Sequence, residues 1–250
     1  MVIVKQQYNI QNVLFSLTIL FLLWGMISLY TQMTIIVSPI SVLQKIFVIF
    51  YPTLVVHSVY SLGRMMIGII IAIITGVSMG IGMGYFKILD KFFSPIVYMT
   101  YPIPKIALLP ILMVLCGLGE VSKVMMIVLI ILFQVIIGVR DGVKDIAKEI
   151  YEPLISVGAT HKDIILQIVL PACLPKLFTS LRIAMATAIS VLFFTETFGT
   201  TYGMGFFIMD AWMRVNYIEM YAGIMVLSFI GFALFFTFDV IEKKCCGWLV

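Results

Sequence analysis

Six stretches of this chain run for about twenty residues with almost no charge, and that pattern decides the class of fold before any motif is read. They cover residues 13–30, 61–85, 93–118, 124–139, 177–197 and 221–240. A helix needs roughly 20 mostly apolar residues to cross about 30 Å of hydrocarbon. Lipid offers no hydrogen bonds, so the backbone of each stretch must satisfy itself as a helix. The composition agrees: 62% of residues are hydrophobic and 11% charged, against about 25% charged in soluble domains. The expected fold is an all-α polytopic membrane protein with about six transmembrane helices, forming a single domain over 1–250. The net charge of +4 calls for no nucleic-acid partner, because cations near membrane ends set topology.

Residues 1–12 form a polar lead with one cation, Lys5. The 18-residue run after it is longer than the apolar core of a signal peptide, about 7–15 residues, and ends without an A-x-A site. It is expected to be retained as the first span. Ser41 to Phe50, introduced by Ser38-Pro39, is expected as an amphipathic segment lying at the outer interface. In the second span Gly76, Gly80 and Gly84 recur at spacing four, the pattern of a face that lets another helix backbone approach closely.

The third span is interrupted by Pro102, Pro104 and Pro110, with Lys105 inside the interruption. Proline removes a backbone donor and clashes with the preceding turn. Broken backbone at membrane depth is tolerated where protein or a water-filled cavity surrounds it. These residues, with Glu196 near the end of the fifth span, are therefore candidates for lining a translocation path. The competing readings are that Lys105 snorkels to an interface, and that Glu196 pairs with a cation such as Arg182 or caps a helix.

The longest polar interval is Asp141 to Leu181. Ile146, Ile150, Leu154 and Val157 carry helical spacing over 145–157. Pro153 either kinks that helix or opens a new one at its first turn, where a missing N–H costs nothing. Gly158 follows as a helix-ending glycine. Thr160 and Asp163 resemble a capping box, so a second helix begins near His161, and Pro171 is expected to stop it. The result is a compact knob between two spans, suited to the groove of a soluble partner. With both termini on the side of this knob, that side holds ten cations (Lys5, Lys87, Lys91, Arg140, Lys144, Lys148, Lys162, Lys176, Lys243, Lys244). The other side holds four (Lys45, Arg64, Lys123, Arg214). The excess assigns the knob and the termini to the cytoplasm.

Glu152, Gly158 six residues later, then nine residues and Ile168-Val169-Leu170-Pro171 resemble the E-A-A, three residues, G, nine residues, I-x-L-P loop of permease subunits in bacterial binding-protein-dependent ABC importers. The chain departs from that pattern at Pro153 and Leu154, where the family has alanines. Pro102 to Pro110 followed by Gly117-Leu118-Gly119-Glu120, and Thr195-Glu196 followed by Gly203-Met204-Gly205, are similar to the nitrate/sulfonate/taurine-type branch. That branch also includes permeases for thiamine precursors and riboflavin. The resemblance implies the type I importer permease (MetI-like) fold and an ATPase-coupling loop over 141–176. Glu152, Pro153, Leu154, Gly158, Ala159, Ile168, Leu170 and Pro171 stand at the loop's motif positions.

It also implies two copies of a separate ATP-binding subunit, a second permease copy as a homodimer, an extracytoplasmic substrate-binding protein, and a place in the bacterial cytoplasmic membrane. ATP and Mg2+ would be used by the partner, with no cofactor in this chain. The sequence contains no G-x-x-x-x-G-K-[ST] to cradle phosphates, and shows no nucleophile–base pair or metal-ligand spacing. Its expected role is a transporter subunit rather than an enzyme. The alternative, a stand-alone secondary transporter, predicts inverted repeats and mid-membrane carboxylates, and only Glu196 answers to that. Cys116, Cys173, Cys245 and Cys246 fit no disulfide framework. They are expected as unmodified thiols, with palmitoylation at Cys245-Cys246 the alternative.

Overall fold

The computed structural model describes residues 10–31 and 33–249, all helix, turn and loop. Lys5 lies outside the described residues. The helices are α1 (Ile10–Thr31), α2 (Pro39–Ile49), α3 (Val55–Tyr85), α4 (Lys87–Thr100), α5 (Leu109–Cys116) and α6 (Glu120–Lys144). There follow α7 (Glu152–Ser156), α8 (His161–Ile164), α9 (Leu170–Thr195), α10 (Met204–Met213) and α11 (Tyr217–Cys245). Among the described residues four continuous helical segments are long and apolar enough to cross a membrane, and the pair around Thr100–Lys105, bent by 87°, makes a fifth. The first apolar run adds the shorter apolar helix Phe15–Thr31.

The α3–α6 contact organises the bundle. A Cβ on Gly68 would lie 2.6 Å from Ile127, one on Gly76 2.8 Å from Val135, one on Gly80 2.8 Å from Val139, and one on Gly84 2.5 Å from Val143. Each partner lies 59 residues further along the chain, so α3 and α6 run in the same direction with backbone against side chain. Lipid tails supply no hydrophobic drive for helix association, so this close approach and its dispersion contacts hold the pair. Two parallel neighbours require the chain to return between them, and α4–α5 is that return. On the other face of α6, Gly138 meets Ser180 and Gly142 meets Lys176, which makes α9 antiparallel. Gly231 against Ile189, with Arg182 against Asp239, makes α11 antiparallel to α9. Residues 145–160 therefore sit at one end of the bundle with Tyr85. The turn at Gly117–Glu120 and the loop after Glu196 sit at the opposite end.

Three expectations are corrected. The Ser41–Phe50 segment is not separate from the second span. It runs through a π turn at Phe50–Leu54 into α3, giving one helical stretch from Pro39 to Tyr85. Pro171 does not stop a helix either. Ile165–Val169 form a second π turn, and His161 to Thr195 is one continuous stretch. Pro52 lies inside the first π turn and Pro171 just after the second. A wider turn shifts the carbonyls that a proline ring would strike and removes demand for its absent N–H. Finally, the helical spacing over 145–157 does not run as one helix, and Pro153 takes the second of its two readings, opening a new helix at its first turn. A 3-10 turn at Lys148–Ile150 precedes α7, which starts at Glu152 with Pro153 in its first turn.

Candidate functional site

The loop end is rigid although little of it is buried. Gly158 has φ +78°, and its N–H donates to the Ile155 carbonyl while the Ala159 N–H donates to the Leu154 carbonyl, both at 3.0 Å. This reciprocal pair closes α7 in a Schellman motif, in which a glycine supplies the left-handed residue. Thr160 then opens α8 with a full capping box. Its Oγ1 accepts from the Asp163 N–H at 3.3 Å, and Asp163 Oδ2 accepts from the Thr160 N–H at 2.9 Å. Two turns of opposite sense are thus fixed within a few residues. Tyr85 of α3 meets the His161 ring at Nδ1, 2.8 Å away, which ties the loop to the bundle.

Ile146, Tyr151, Leu154 and Ala159 pack against the core, and burial pushes the Tyr151 phenol up from its ordinary range. Ile150, Ile155 and Val157 point outward, with Val157 82% exposed. Of the motif residues, Glu152 and Pro153 lie on the surface of α7. Ile168 is buried, and Leu170 and Pro171 are half-buried where the π turn enters α9. They anchor the knob instead of forming its face.

Pro102 and Pro104 occupy the bend between α4 and α5, and Pro110 opens α5 instead of breaking a helix. Lys105 caps the bend. Its Nζ donates to the carbonyls of Thr100, at 3.3 Å, and Tyr101, and lies 5.0 Å from the ring centres of Tyr101 and Phe133. The start of α4 is pinned separately, because Asp90 accepts from Arg140 Nε and from Lys144 Nζ, each at 2.5 Å.

At the opposite end lies a charge cluster that the sequence reading did not assemble. Arg64 of α3 donates from Nε and Nη2 to the two oxygens of Glu120, at 2.5 and 2.6 Å. Its Nη1 donates to Glu196 Oε1 at 2.6 Å and to the Tyr202 carbonyl at 2.8 Å. Glu196 also accepts from Ser61 Oγ and from the Gly205 N–H at 2.9 Å, so it caps the start of α10. Lys123 is fully buried and donates to the carbonyls of Leu118, Gly119 and Gly199. Gly203, at φ +128°, is required here, since a Cβ would sit 2.5 Å from the Glu196 carboxyl carbon.

The cluster joins α3, the α5–α6 turn, the end of α9 and the start of α10, with two cations matching two carboxylates. Glu196 thus has a cation partner and caps a helix, but the cation is Arg64. Arg182 lies on the same helix as Glu196, about 21 Å away along its axis, and pairs with Asp239 and Glu242. The signal was available: four charges at the ends of apolar runs each need a partner. His57 Nδ1 lies 3.1 Å from both the N–H and the carbonyl oxygen of Gly203 at this end, remote from His161. Glu196 and Lys105 do not share a site. All four cysteines are free thiols, with Cys173 and Cys246 buried.

Comparison with known proteins agrees with this geometry. A family described as "Binding-protein-dependent transport system inner membrane component" matches residues 68–245. The chain is 30% identical over 216 residues to the taurine transport system permease protein TauC of Escherichia coli (strain K12), covering 84% of this chain and 78% of that one. It is 26% identical over 192 residues to the putative aliphatic sulfonates transport permease protein SsuC of Bacillus subtilis (strain 168), covering 77% and 70%. A chain of the MetNI methionine ABC transporter in inward-facing conformations superposes with TM-score 0.62 at 20% identity, over 74% of this chain and 93% of that one, which establishes the fold. The parallel α3–α6 pair, the bent return and the capped loop are thus the frame of a multi-pass membrane protein that belongs to the binding-protein-dependent ABC importer permeases, of the nitrate/sulfonate/taurine type.

Proposed function

We propose that this permease subunit forms half of a translocation path and that its 145–160 loop docks in a groove of the importer's ATP-binding subunit. The observation that carries the docking is the exposed apolar set Ile150, Ile155 and Val157, held on a turn fixed by Gly158 and the Thr160 capping box. An apolar helix face seated in a groove is a common recognition mode, and a rigid knob transmits a push that a flexible loop would absorb. ATP and Mg2+ bind in two copies of that partner.

A second copy of this chain completes the path. The bent hairpin supports this, because Ile88, Met99, Val114 and Leu115 are each at least 75% exposed. Pro102, Pro104, Lys105 and Pro110 border the path. Glu196 contributes from the far end by holding the Gly199–Gly205 loop.

The loop end faces the cytoplasm, with both termini. Lys87, Lys91, Arg140, Lys144, Lys148, Lys162, Lys176, Lys243 and Lys244 gather toward this end, and an excess of Lys and Arg favours the inner face. Lys45, Arg64 and Arg214 at the other end are each paired with carboxylates. An extracytoplasmic binding protein delivers the solute there. The relatives named for taurine and sulfonates make a small sulfonate the first candidate. Family membership leaves the stand-alone transporter without support.

The test is co-purification of a tagged chain with the ATP-binding subunit, followed by uptake of labelled taurine into proteoliposomes holding both subunits and the binding protein. Stoichiometric recovery with two permease copies per complex is expected. Recovery of the chain alone from an active preparation would contradict the coupling.

A further inference from the structure

α4 carries one carboxylate, Asp90, and both of its cation partners stand on the last two turns of α6. Asp90 Oδ1 accepts from Arg140 Nε and Oδ2 from Lys144 Nζ, each at 2.5 Å, and Ser94 Oγ donates to Oδ1 at 3.0 Å. Arg140 reaches further along α4. Its Nη1 donates to the Tyr98 hydroxyl at 3.0 Å, and its guanidinium carbon lies 5.5 Å from the centre of that ring. Nearby, Val97 is buried with Met83 of α3 and Ile136 of α6. At the bend, Lys105 lies over the Phe133 ring of α6. Phe133 and Lys144 stand three turns apart, about 16 Å along α6. The final turns of α6 therefore hold the hairpin at its start and at its bend.

The same turns lead straight into the docking loop. Lys144 is the last residue of α6, and Asp145, at the next position, pairs with Lys176 of α9 at 3.2 Å. A displacement of the loop thus moves the ends of α6 and α9 together. The apolar contacts of α4 give it little reason to follow, because acyl chains replace such contacts at no loss. Charge-assisted hydrogen bonds from two cations to one carboxylate fix both distance and direction. An anchor for folding alone has no need of partners beside the loop, yet Arg140 and Lys144 occupy the turns that adjoin it.

We propose that Asp90 is the joint through which ATP-driven movement of the 145–160 loop reaches the bent hairpin at the path. This rests on the importer reading above and deepens it by naming the positioning residue between the docking loop and the path. Asp90 touches neither solute nor ATP. It acts by making α4 follow α6.

The experiment uses the permease with its ATP-binding subunit in nanodiscs, in a chain with its native cysteines replaced and Ile103→Cys placed at the bend. The rate of maleimide modification of that thiol is compared with and without ATP and vanadate. ATP with vanadate is expected to change the rate about tenfold with Asp90 in place, and less than about twofold in Asp90→Asn. Pull-down of the ATP-binding subunit and basal ATP hydrolysis are expected to be retained in Asp90→Asn. Asp90→Glu is expected to restore the response. Arg140→Gln, which leaves the Lys144 bond, is expected to fall between.

A full rate change in Asp90→Asn would overturn the proposal. So would a response that falls only in step with pull-down and ATP hydrolysis in both Asp90→Asn and Arg140→Gln, since that marks a folding anchor. A chain with Asp90 in place that does not recover the ATP-binding subunit would overturn the importer reading itself, and this inference with it.

Discussion

Arg64 and Glu196 meet at 2.6 Å with both side chains sealed from solvent, 2% and 0% exposed, and they join α3 to the end of α9. Five further groups close around them: Glu120, Ser61, Thr200, the Tyr202 carbonyl and the Gly205 N–H. Glu120 still answers Arg64 once Glu196 is neutral, so the loss is that of an unsatisfied buried polar group, about 1–3 kcal/mol. Glu196→Gln places an amide NH2 against a donor, either Arg64 or Gly205. We expect it to lower thermal stability in detergent, with uptake falling in proportion to the folded fraction. Glu120→Gln is expected to cost less, because that side chain is 57% exposed. Wild-type thermal stability in Glu196→Gln would remove the clamp.

Gly80 and Val139 test the parallel helix pair. A Cβ on Gly80 would meet Val139 at 2.8 Å and the Ile136 carbonyl at 3.0 Å. Gly80→Ala is expected to cost about 1–3 kcal/mol by overpacking. Val139→Ala in the same molecule should recover part of that loss, seen as a coupling in a double-mutant cycle. Strict additivity would mean that the two helices do not approach as described.

Much of this was legible from sequence, for local reasons. Apolar length gives the helices, and glycines at spacing four mark the face of α3 that α6 covers. Gly158 and the Thr160–Asp163 pair announce their turns because capping is settled within a few residues. The prolines misled. Pro171 looks like an end, and the Ser41–Phe50 segment before Pro52 looks separate from the second span, but a π turn accommodates each proline, and no residue pattern announces a π turn. The Arg64–Glu196–Glu120–Lys123 cluster draws on three helices and two loops, so its pairing depends on packing that spacing does not encode. The bend at Pro102–Pro104 was visible, whereas its 87° angle and the capping of its carbonyls by Lys105 are tertiary facts.

Orientation is open to direct labelling. Single cysteines introduced at Lys148 and at Tyr202, in a chain with its native cysteines replaced, occupy opposite ends of the bundle. A membrane-impermeant maleimide added to intact cells should modify Tyr202→Cys and spare Lys148→Cys. The reverse pattern would invert the topology.

Lys105 separates a path-lining role from a purely structural one. Lys105→Met keeps the stem but loses the charge at the bend. We expect complex assembly to be retained and uptake to fall several-fold, on the order of 1 kcal/mol in barrier. Unchanged uptake would take Lys105 off the path.

The central claim is that the 145–160 loop couples this permease to ATP hydrolysis, and Gly158 tests it most directly. A Cβ there would meet nothing within 4 Å, so the cost of adding one lies in the backbone at φ +78°. That cost is roughly 1–2 kcal/mol for a residue with a Cβ, enough to misdirect α8 while leaving the helices of the bundle in place. Pull-down of the ATP-binding subunit and solute uptake should be measured with Gly158→Val in the same proteoliposomes. The account predicts normal membrane insertion, weakened pull-down and hydrolysis uncoupled from uptake. Wild-type pull-down together with wild-type uptake would contradict it.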